Sequence, residues 1–364
     1  MPYGVLSAGL MFGNLLARRF RCCFNALGGK RDGPVTVGCG GIVAEGKPKK
    51  RGGWARTFAI QLLILVVTLG IAEVVLRVID LRYLRAHRVG ADRIYNYDAE
   101  LGWFPVPNSD VSFTGMRTIR VHHNSLGLRD IEPDTTPKPT VAFVGDSFVW
   151  GYDAEQNERF TEILRVKMPA QRIINAGVTA YGTDQEYLLL RRLWDRIRPN
   201  VVVLMVCTDN DRKDNTVNTR SDGPYKPYFD MTRSAFEGIP VPWSRHLYFA
   251  DNWLARNSWV FRVAVSAYVL IAHPPVSVPD PTERLIGMMK EFVESKGVKF
   301  LVGLQYRDPA LEAALTGMKI PYTSFDGAEH EFGDGDHWTP KGHELVAERL
   351  LTLLNDNGAA APAQ

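Results

Sequence analysis

The stretch PTVAFVGDSFVWG, residues 139–151, decides the predicted fold. It begins with an apolar run of strand length and continues into a Gly-Asp-Ser turn. The same rhythm of apolar strand and amphipathic helix returns in QRIINAGV (171–178) with DQEYLLLRRLWDRI (184–197), and its strand again in NVVVLMVC (200–207). The run 200–207 is apolar throughout, which is typical of a central strand in a parallel sheet covered on both faces. Strands that alternate with helices predict an α/β sandwich with a mostly parallel sheet.

Downstream of these units the alternation is interrupted by an insertion at residues 212–282, which contains aromatic and proline-rich loops. Its helix SWVFRVAVSAYVLIA (258–272) has about fourteen apolar residues and contains Arg262, whereas a membrane span needs about 20. We therefore expect a packed helix there rather than a second membrane segment. Beyond and before the insertion, the periodicity predicts helices at 158–168, 283–297 and 341–354 and a strand at 298–306.

The N-terminal head, residues 1–56, differs in charge from the rest of the 364-residue chain. It carries ten Lys and Arg against two acidic residues, a net charge of +8, whereas the whole chain has a net charge of +3. The body therefore carries −5, and a mildly acidic body argues against a nucleic-acid-binding surface. Residues 25–53 are rich in glycine and poor in core-forming side chains, so we expect the head to be disordered.

A candidate membrane span follows the head. FAIQLLILVVTLGIAEVVL (58–76) is a run of nineteen mostly apolar residues, enough for a helix to cross a hydrocarbon core of about 30 Å. Basic residues flank the run equally on both sides, and the further basic residues of the head favour a cytoplasmic N-terminus. A buried helix of a soluble domain is the alternative. The predicted segments are a basic, disordered cytoplasmic head at 1–56, a transmembrane helix at 57–79, a linker with edge strands at 80–138, an α/β domain at 139–356 with the insertion at 212–282, and a disordered tail at 357–364.

Three residues of the body have the types that nucleophilic catalysis needs. Ser147 follows the first strand directly, at the edge where open α/β sheets place their sites, although a serine there is also an ordinary helix N-cap. His337 stands just before the last predicted helix, three residues after Asp334. A histidine oriented by a carboxylate is the base that a serine nucleophile requires. Ser147, Asp334 and His337 are therefore the candidate catalytic residues, and His343, inside that helix, is expected to be structural.

Two other strand ends offer groups that stabilise negative charge. Asn210 follows the third strand and can donate its side-chain N–H to an oxyanion. The loop 175–183 leaves the second strand with small residues, so its backbone N–H groups can approach a substrate oxygen. The nearby acidic residues lack the glycine and terminal glutamate of a calcium loop, and no C-x-x-C pair signals a zinc or redox site. We predict no metal and no organic cofactor.

In this order, the motifs resemble the SGNH (GDSL-type) hydrolase family across residues 139–356. Its first block matches at 145–148 with Ser147 as nucleophile, its third-block Asn-Asp matches at Asn210, and its D-x-x-H block matches at Asp334 and His337. The resemblance implies a flavodoxin-like three-layer α/β/α sandwich. It also implies an oxyanion hole formed by the Ser147 N–H, a second-block N–H at Ala180 and the Asn210 side chain.

Two positions depart from the family pattern. The second-block glycine falls on Ala180, and the glycine of the third-block G-x-N-D falls on Thr208. A backbone N–H survives the exchange of glycine for alanine, so Ala180 can still donate. Thr208 narrows the approach beside Asn210. These changes bear on the substrate range more than on the chemistry.

The resemblance implies a serine esterase that acts on an ester-bearing small molecule, glycan or lipid. LGWFPVPN (101–108) and NSLGLRD (124–130) also look like membrane-anchored bacterial members, whose catalytic domains face the periplasmic side of the cell membrane. Two alternatives stay open. One is a polysaccharide O-acetyltransferase that uses the same triad. The other is a non-catalytic assembly module. For the acetyltransferase, the insertion supplies aromatic residues suited to a sugar cleft, namely Trp243, Tyr225, Tyr228 and Tyr248.

Overall fold

The computed structural model describes residues 53–85, 94–134, 136–220, 223–330 and 337–359. The chain divides into two units, residues 1–61 and 62–364. In the first unit the described part, residues 53–61, is the beginning of a helix. The rest of the basic head, for which the sequence predicts disorder, lies outside the described residues.

The described helices are α1 (Gly53–Ile79), α2 (Ser147–Trp150), α3 (Phe160–Lys167), α4 (Thr183–Ile197), α5 (Asp211–Asp214), α6 (Arg245–Asp251), α7 (Trp253–Asn257), α8 (Trp259–Ala272), α9 (Thr282–Ser295), α10 (Pro309–Gly317) and α11 (Pro340–Asp356). Helix α1 is long and apolar enough to cross a membrane, judged by length and composition, and none of its residues is buried. It begins four residues before the predicted span at 57–79.

The described strands are β1 (Tyr95–Asp98), β2 (Gly102–Pro105), β3 (Asp110–Thr114), β4 (Thr118–His122), β5 (Thr140–Gly145), β6 (Arg172–Gly177), β7 (Val201–Val206), β8 (Tyr228–Asp230), β9 (Ala235–Glu237), β10 (Lys299–Leu304) and β11 (Tyr322–Ser324). Five of them form one parallel sheet in the order β11-β10-β7-β5-β6. Numbered along this sheet's own path, that order is 2-1-3-4-5, the flavodoxin-like doubly wound topology.

Helices cover both faces of the sheet and complete a three-layer α/β/α sandwich, which confirms the predicted fold. On one face, Ala142 and Leu204 of the strands share a buried cluster with residues of α4, α9 and α10. On the other face, Val141 and Val203 share a second cluster with residues of α3 and α11. Strand β7 lies in the middle of the sheet and is buried along its whole length, as its continuous apolar sequence predicts.

The segment upstream of the sheet packs on the sandwich. Strands β1 and β2 form one antiparallel pair, and β3 and β4 form another. Ile119 and Val121 of β4 are buried against Trp150 of α2, and Leu101 belongs to the main core. The part of 80–138 that the sequence describes as a linker with edge strands therefore includes residues buried against the catalytic domain.

The end of the chain holds one correction. The sequence predicts a disordered tail from residue 357, but Ala359 is buried and its carbonyl accepts a hydrogen bond of 2.7 Å from Gln171 Nε2. The carbonyls of Asn357 and Gly358 accept hydrogen bonds from Lys299. The ordered domain thus extends three residues further than predicted, because these carbonyls find buried or charged donors. Residues 360–364 lie outside the described part of the chain.

A buried ion pair joins the insertion to the sandwich. The ammonium group of Lys226 contacts the carboxylate of Asp184, at the start of α4, and both side chains are almost fully buried. The same ammonium group donates to the carbonyls of Asp214 at 3.0 Å and Val217 at 3.4 Å. Removal of one partner would leave the other charge buried and uncompensated, which is costly. The pair therefore holds the first part of the insertion against the sandwich.

We predict that Lys226→Met lowers the free energy of unfolding by about 3–5 kcal/mol, because it leaves the Asp184 carboxylate buried without its cation. Chemical denaturation followed by tryptophan fluorescence measures this loss. Lys213→Met, which removes an exposed lysine from the same insertion, is the matched control and is expected to change stability by less than about 0.5 kcal/mol. Equal effects of the two substitutions would contradict the assignment.

Candidate active site

Ser147 lies where β5 ends, at the carboxyl edge of the parallel sheet. Asp146 caps the short helix α2, and its Oδ1 accepts a hydrogen bond of 2.9 Å from the backbone N–H of Phe148. The cap turns the chain sharply, so Ser147 becomes the first residue of α2 and is 8% exposed. The hydroxyl therefore stands at the opening of the sheet edge, while the rest of α2 is buried.

The turn is tight because two neighbouring strands end in glycine. Gly145 of β5 pairs with Gly177 of β6. A Cβ at Gly177 would collide with the backbone nitrogen of Trp150, and a Cβ at Gly145 would collide with the side chain of Val149. Glycine at both places lets α2 lie directly against the ends of β5 and β6, which sets the height of Ser147 above the sheet.

His337 reaches Ser147 from the loop before α11. Its Nε2 lies 2.8 Å from the Ser147 Oγ, within hydrogen-bond distance. The Tyr152 ring stacks on the imidazole with ring centroids 4.4 Å apart and an interplanar angle of 21°. The Phe148 ring also lies against it, at 4.9 Å. Two aromatic neighbours thus restrict the plane of the imidazole beside the hydroxyl.

The residue after His337 anchors this loop. Trp338 is 1% exposed and packs its ring against Phe148 at 4.8 Å and Phe325 at 5.6 Å. Thr339 caps α11 by accepting a hydrogen bond from the Gly342 N–H. A buried tryptophan on one side and a helix cap on the other hold the backbone that carries His337.

The rival histidine has a different environment. His343 is 1% exposed within α11, and the backbone N–H of Phe160 donates to its Nδ1 at 3.3 Å. The Phe160 ring stacks on it. Burial lowers the pKa of His343 to about 3, so the ring stays neutral at ordinary pH. These contacts agree with the structural role that the sequence predicts for it.

The other predicted site residues are distributed as follows. Asp334 lies outside the described residues. Asn210 follows β7 and donates from Nδ2 to the Asp146 Oδ2 at 3.4 Å. The Ser147 hydroxyl lies at the same distance from that oxygen. Asp146 therefore contacts both Asn210 and Ser147. The sequence assigns Asp146 no role, and its place in the Gly-Asp-Ser motif is the only signal that could have indicated one.

Ala180 follows β6 and adopts a left-handed backbone conformation with φ of +65°. Glycine takes this conformation at no steric cost, while alanine is strained in it by about 1 kcal/mol. The strained geometry explains why a glycine occupies this position in the family pattern. The Ala180 carbonyl accepts a hydrogen bond of 3.3 Å from Arg220 of the insertion, so the second predicted oxyanion loop is tied down from outside the sandwich.

The upstream segment holds the same loop from its other side. Trp103 Nε1 donates to the Thr179 carbonyl at 3.1 Å, and the Thr179 hydroxyl donates to the Tyr95 hydroxyl at 2.7 Å. The Tyr181 hydroxyl donates to the Trp103 carbonyl at 2.5 Å. In the sequence, only the aromatic residues of the segment 101–108 indicate that it supports this loop. Its partners lie nearly 80 residues away, so the contacts could not be predicted from the sequence.

Several carboxyl groups near Ser147 are buried. Burial raises the pKa of Asp146 to about 6. Burial and neighbouring carboxyls also raise the pKa values of Asp211 and Glu186 well above the ordinary range. Because a proton on Asp146 removes a negative charge beside the Ser147 hydroxyl, the neutral form favours negative charge developing on a substrate oxygen there.

The described part of the chain bears on two alternatives, a sugar cleft in the insertion and a calcium site. The aromatic residues proposed for a sugar cleft include several that pack within the insertion: Tyr225 is buried, and Trp243 packs on Tyr248 at 5.4 Å. Asp209, Asp211 and Asp214 are the acidic residues near Asn210. Among the described residues there is no group of three or more His, Cys, Asp and Glu side chains that is arranged to hold a metal ion.

Comparison with known proteins identifies a family. The sequence model of the GDSL-like lipase/acylhydrolase family matches residues 143–345, more than half of the chain. This match begins inside β5 and ends inside α11, so it spans the sheet, Ser147 and His337. No curated protein matches the chain.

Solved structures with similar folds include three bacterial proteins. A member of the lipolytic G-D-S-L family from Veillonella parvula is 14% identical, with 60% of this chain and 99% of that chain covered and a TM-score of 0.36. The esterase EstA from Pseudoalteromonas is 10% identical, with 60% and 98% covered and a TM-score of 0.36. A lipase/acylhydrolase from Enterococcus faecalis is 14% identical, with 62% and 99% covered and a TM-score of 0.35.

The raised pKa of Asp146 predicts a stability change with pH. The native carboxyl keeps its proton up to a pH of about 6, whereas its ordinary pKa is 3.8. Between these values the native state binds more protons than the unfolded state, so stability falls as pH rises. Relative to Asp146→Asn, the wild-type free energy of unfolding should fall by up to about 3 kcal/mol between pH 4 and pH 7. A difference that stays constant or grows over this range would contradict the effect of burial on the pKa of this carboxyl.

Proposed function

The chain belongs to the GDSL-like lipase/acylhydrolase family and is a hydrolase that acts on esters, and we propose that Ser147 is its nucleophile. In this proposal His337 is the general base, Asp334 orients it, and Asn210 and Ala180 complete the oxyanion hole. The observation that carries the proposal is the 2.8 Å distance between the Ser147 Oγ and the His337 Nε2. A serine activated by a histidine in direct contact is the arrangement that acyl transfer through a covalent intermediate requires.

The first half of the reaction forms an acyl-enzyme. His337 Nε2 takes the proton of the Ser147 hydroxyl as Oγ attacks the ester carbonyl carbon, and a tetrahedral oxyanion forms. The imidazolium then gives this proton to the departing alcohol oxygen as the ester bond breaks. In the second half a water molecule loses a proton to His337 and attacks the acyl carbon, which releases the acid and restores the serine.

The oxyanion is held by three donors in this proposal: the Ser147 N–H, the Ala180 N–H and the Asn210 Nδ2. Each follows a different strand of one parallel sheet, and the three loops leave the sheet at the same edge. Asn210 and Ser147 both contact Asp146, which supports their proximity. The left-handed conformation of Ala180 turns the loop after β6, and its anchoring on both sides limits motion of the donor.

Asp334 is assigned by the family resemblance and its spacing from His337. A carboxylate that accepts a hydrogen bond from Nδ1 fixes the tautomer in which Nε2 is free to take a proton, and it stabilises the imidazolium that follows. The stacked Tyr152 ring orients the imidazole plane, but it offers no charge. The carboxylate is therefore still needed for the base to work.

The substrate in this proposal is an acylated carbohydrate or lipid on the periplasmic side of a membrane that α1 crosses. Support comes from the length and apolar composition of α1 and from the upstream segment that continues into the catalytic domain. Transfer of the acyl group to a sugar hydroxyl uses the same triad and differs only in the acceptor. The aromatic packing within the insertion removes part of the support for a sugar cleft.

We predict that the full chain in detergent micelles hydrolyses p-nitrophenyl esters and that Ser147→Ala lowers kcat/KM by about 10⁴-fold or more, because no other group forms the acyl-enzyme. Rates across acyl chain lengths define the acyl pocket. Ser295→Ala, at the exposed end of α9, is the matched control and keeps wild-type rates. Activity that survives in Ser147→Ala would exclude this nucleophile.

Asp334 and Asp336 are two carboxylates that lie two residues apart in the sequence, and substitution distinguishes their roles. Asp334→Asn should lower kcat by up to about 10⁴-fold with little change in KM, since it removes the partner that orients the imidazole. Asp336→Asn, two residues away, should leave kcat within a few-fold of wild type. If Asp336→Asn is the impaired variant instead, the assignment of Asp334 is wrong while the Ser147–His337 pair stands.

The acceptor is tested by supplying an acetyl donor with and without a neutral oligosaccharide. A hydrolase releases acetate at the same rate in both reactions, and mass spectrometry finds no acetylated sugar. Acetylated sugar formed in proportion to donor consumption would replace hydrolysis by acyl transfer. Ser147→Ala serves as the blank for uncatalysed transfer.

A further inference from the structure

Helix α8 of the insertion has an unusual distribution of polarity. Its single charged side chain, Arg262, is 8% exposed and turned inward. The Arg262 guanidinium donates to the carbonyls of Ala255 at 2.6 Å, Leu84 at 3.0 Å and Arg256 at 3.0 Å. A helix at a water surface normally shows the reverse, with charged residues outward and apolar residues inward.

The outward face of α8 is apolar, and it continues onto α7. Ile271 is 82% exposed. We call the following exposed side chains the insertion face: Trp253, Leu254, Val263, Tyr268, Leu270 and Ile271. The exposed positions of α8 carry no charged side chain. Contiguous apolar surface of this kind marks a site of contact with a protein or a membrane.

The insertion face adjoins the end of the candidate span. The Glu73 carboxylate of α1 accepts hydrogen bonds from the Ser258 hydroxyl at 2.9 Å and from the backbone N–H groups of Trp259 at 2.9 Å and Val260 at 3.0 Å. Arg77 of α1 donates to the Asn257 carbonyl at 2.5 Å. Glu73 thus caps the N-terminus of α8, and α8 begins at the level where the apolar run of α1 ends.

We propose that the insertion face lies in the lipid bilayer, at the boundary between acyl chains and headgroups, beside the point where α1 enters the membrane. The occupant is lipid, because the exposed positions of α8 carry no charge and the first turn of α8 is bound to a helix of spanning length. Helix α8 has 14 residues, about 21 Å at 1.5 Å per residue, so it is too short to cross the membrane. Trp253 and Tyr268 are residue types enriched at this boundary.

This inference rests on the proposed span and adds a second attachment to it. One helix alone lets a domain rotate about its tether, whereas two attachments joined by Glu73 and Arg77 fix the catalytic domain against the membrane surface. Substrate esters presented at that surface then meet the domain in one orientation. The proposal therefore concerns the geometry of membrane contact and is independent of the chemistry at Ser147.

The test labels single cysteines with an environment-sensitive NBD fluorophore in the full chain. The background carries Cys22→Ser, Cys23→Ser and Cys39→Ser, and Cys207 is buried. Ile271→Cys reports the insertion face, Val67→Cys reports α1, and Val166→Cys is the control because that side chain is 81% exposed on α3. Each labelled chain is reconstituted in vesicles of phosphatidylcholine and phosphatidylglycerol, with and without doxyl-labelled lipid.

We expect doxyl lipid to quench the labels at 271 and 67 at least several-fold more than the label at 166, while aqueous iodide quenches only the label at 166. A label at 271 that iodide reaches as easily as 166, with 67 quenched by lipid, would overturn this inference and leave the span intact. Protection of 271 from both quenchers would show that protein, such as a second copy of the chain, covers the face, and would also overturn it. Absence of lipid quenching at 67 would overturn the span itself.

Discussion

Parallel pairing of β5 with β6 on one side and β7 on the other is the constraint on which the site depends. In this register Gly145 lies opposite both Gly177 and Met205, so three loops leave the sheet at nearly one level. Ser147 follows β5, Ala180 follows β6 and Asn210 follows β7. Ser147 and Asn210 both contact Asp146 although 63 residues separate them in the sequence. The strand order reverses between β5 and β7, and such switch points open a crevice outside the sheet. Backbone pairing therefore sets the position of the candidate site residues relative to this crevice.

Contacts from outside the sheet hold the loops that carry the candidate site residues. Trp103 and Tyr95 upstream, and Arg220 in the insertion, all bond to the segment around Ala180. Phe113 packs on Tyr152 with ring centroids 4.9 Å apart, and Tyr152 stacks on His337. These supporting residues, except Tyr152 and Arg220, lie before residue 143, where the family match begins. The upstream segment therefore forms one structural unit with the hydrolase domain. A protein truncated at residue 143 would lose the residues that support the loops of the candidate site.

Much of the fold could be predicted because its apolar residues recur at the spacing of strands and helices. The central strands and long helices follow from apolar runs and helical spacing, and the pairing of Ser147 with His337 follows from motif order. Strand β11 has three residues and α10, which begins at Pro309, has nine, so both are too short to leave a clear periodic signal. The stacking of Tyr152 on His337 depends on a left-handed turn at Gly151 and on contacts distant in sequence. Charged side chains usually lie on the exposed face of a helix, but Arg262 is buried. The sequence therefore predicts α8 as an ordinary packed helix and does not indicate its exposed apolar face.

The central claim is that His337 activates Ser147 as the nucleophile. Labelling of the full chain with a fluorophosphonate, followed by mass spectrometry of its peptides, tests this directly because the probe bonds only to an activated hydroxyl. The account predicts one adduct per chain, on Ser147, and its loss in His337→Gln with the chain still folded by circular dichroism. An adduct on another serine, or labelling of Ser147 that persists unchanged in His337→Gln, would contradict it.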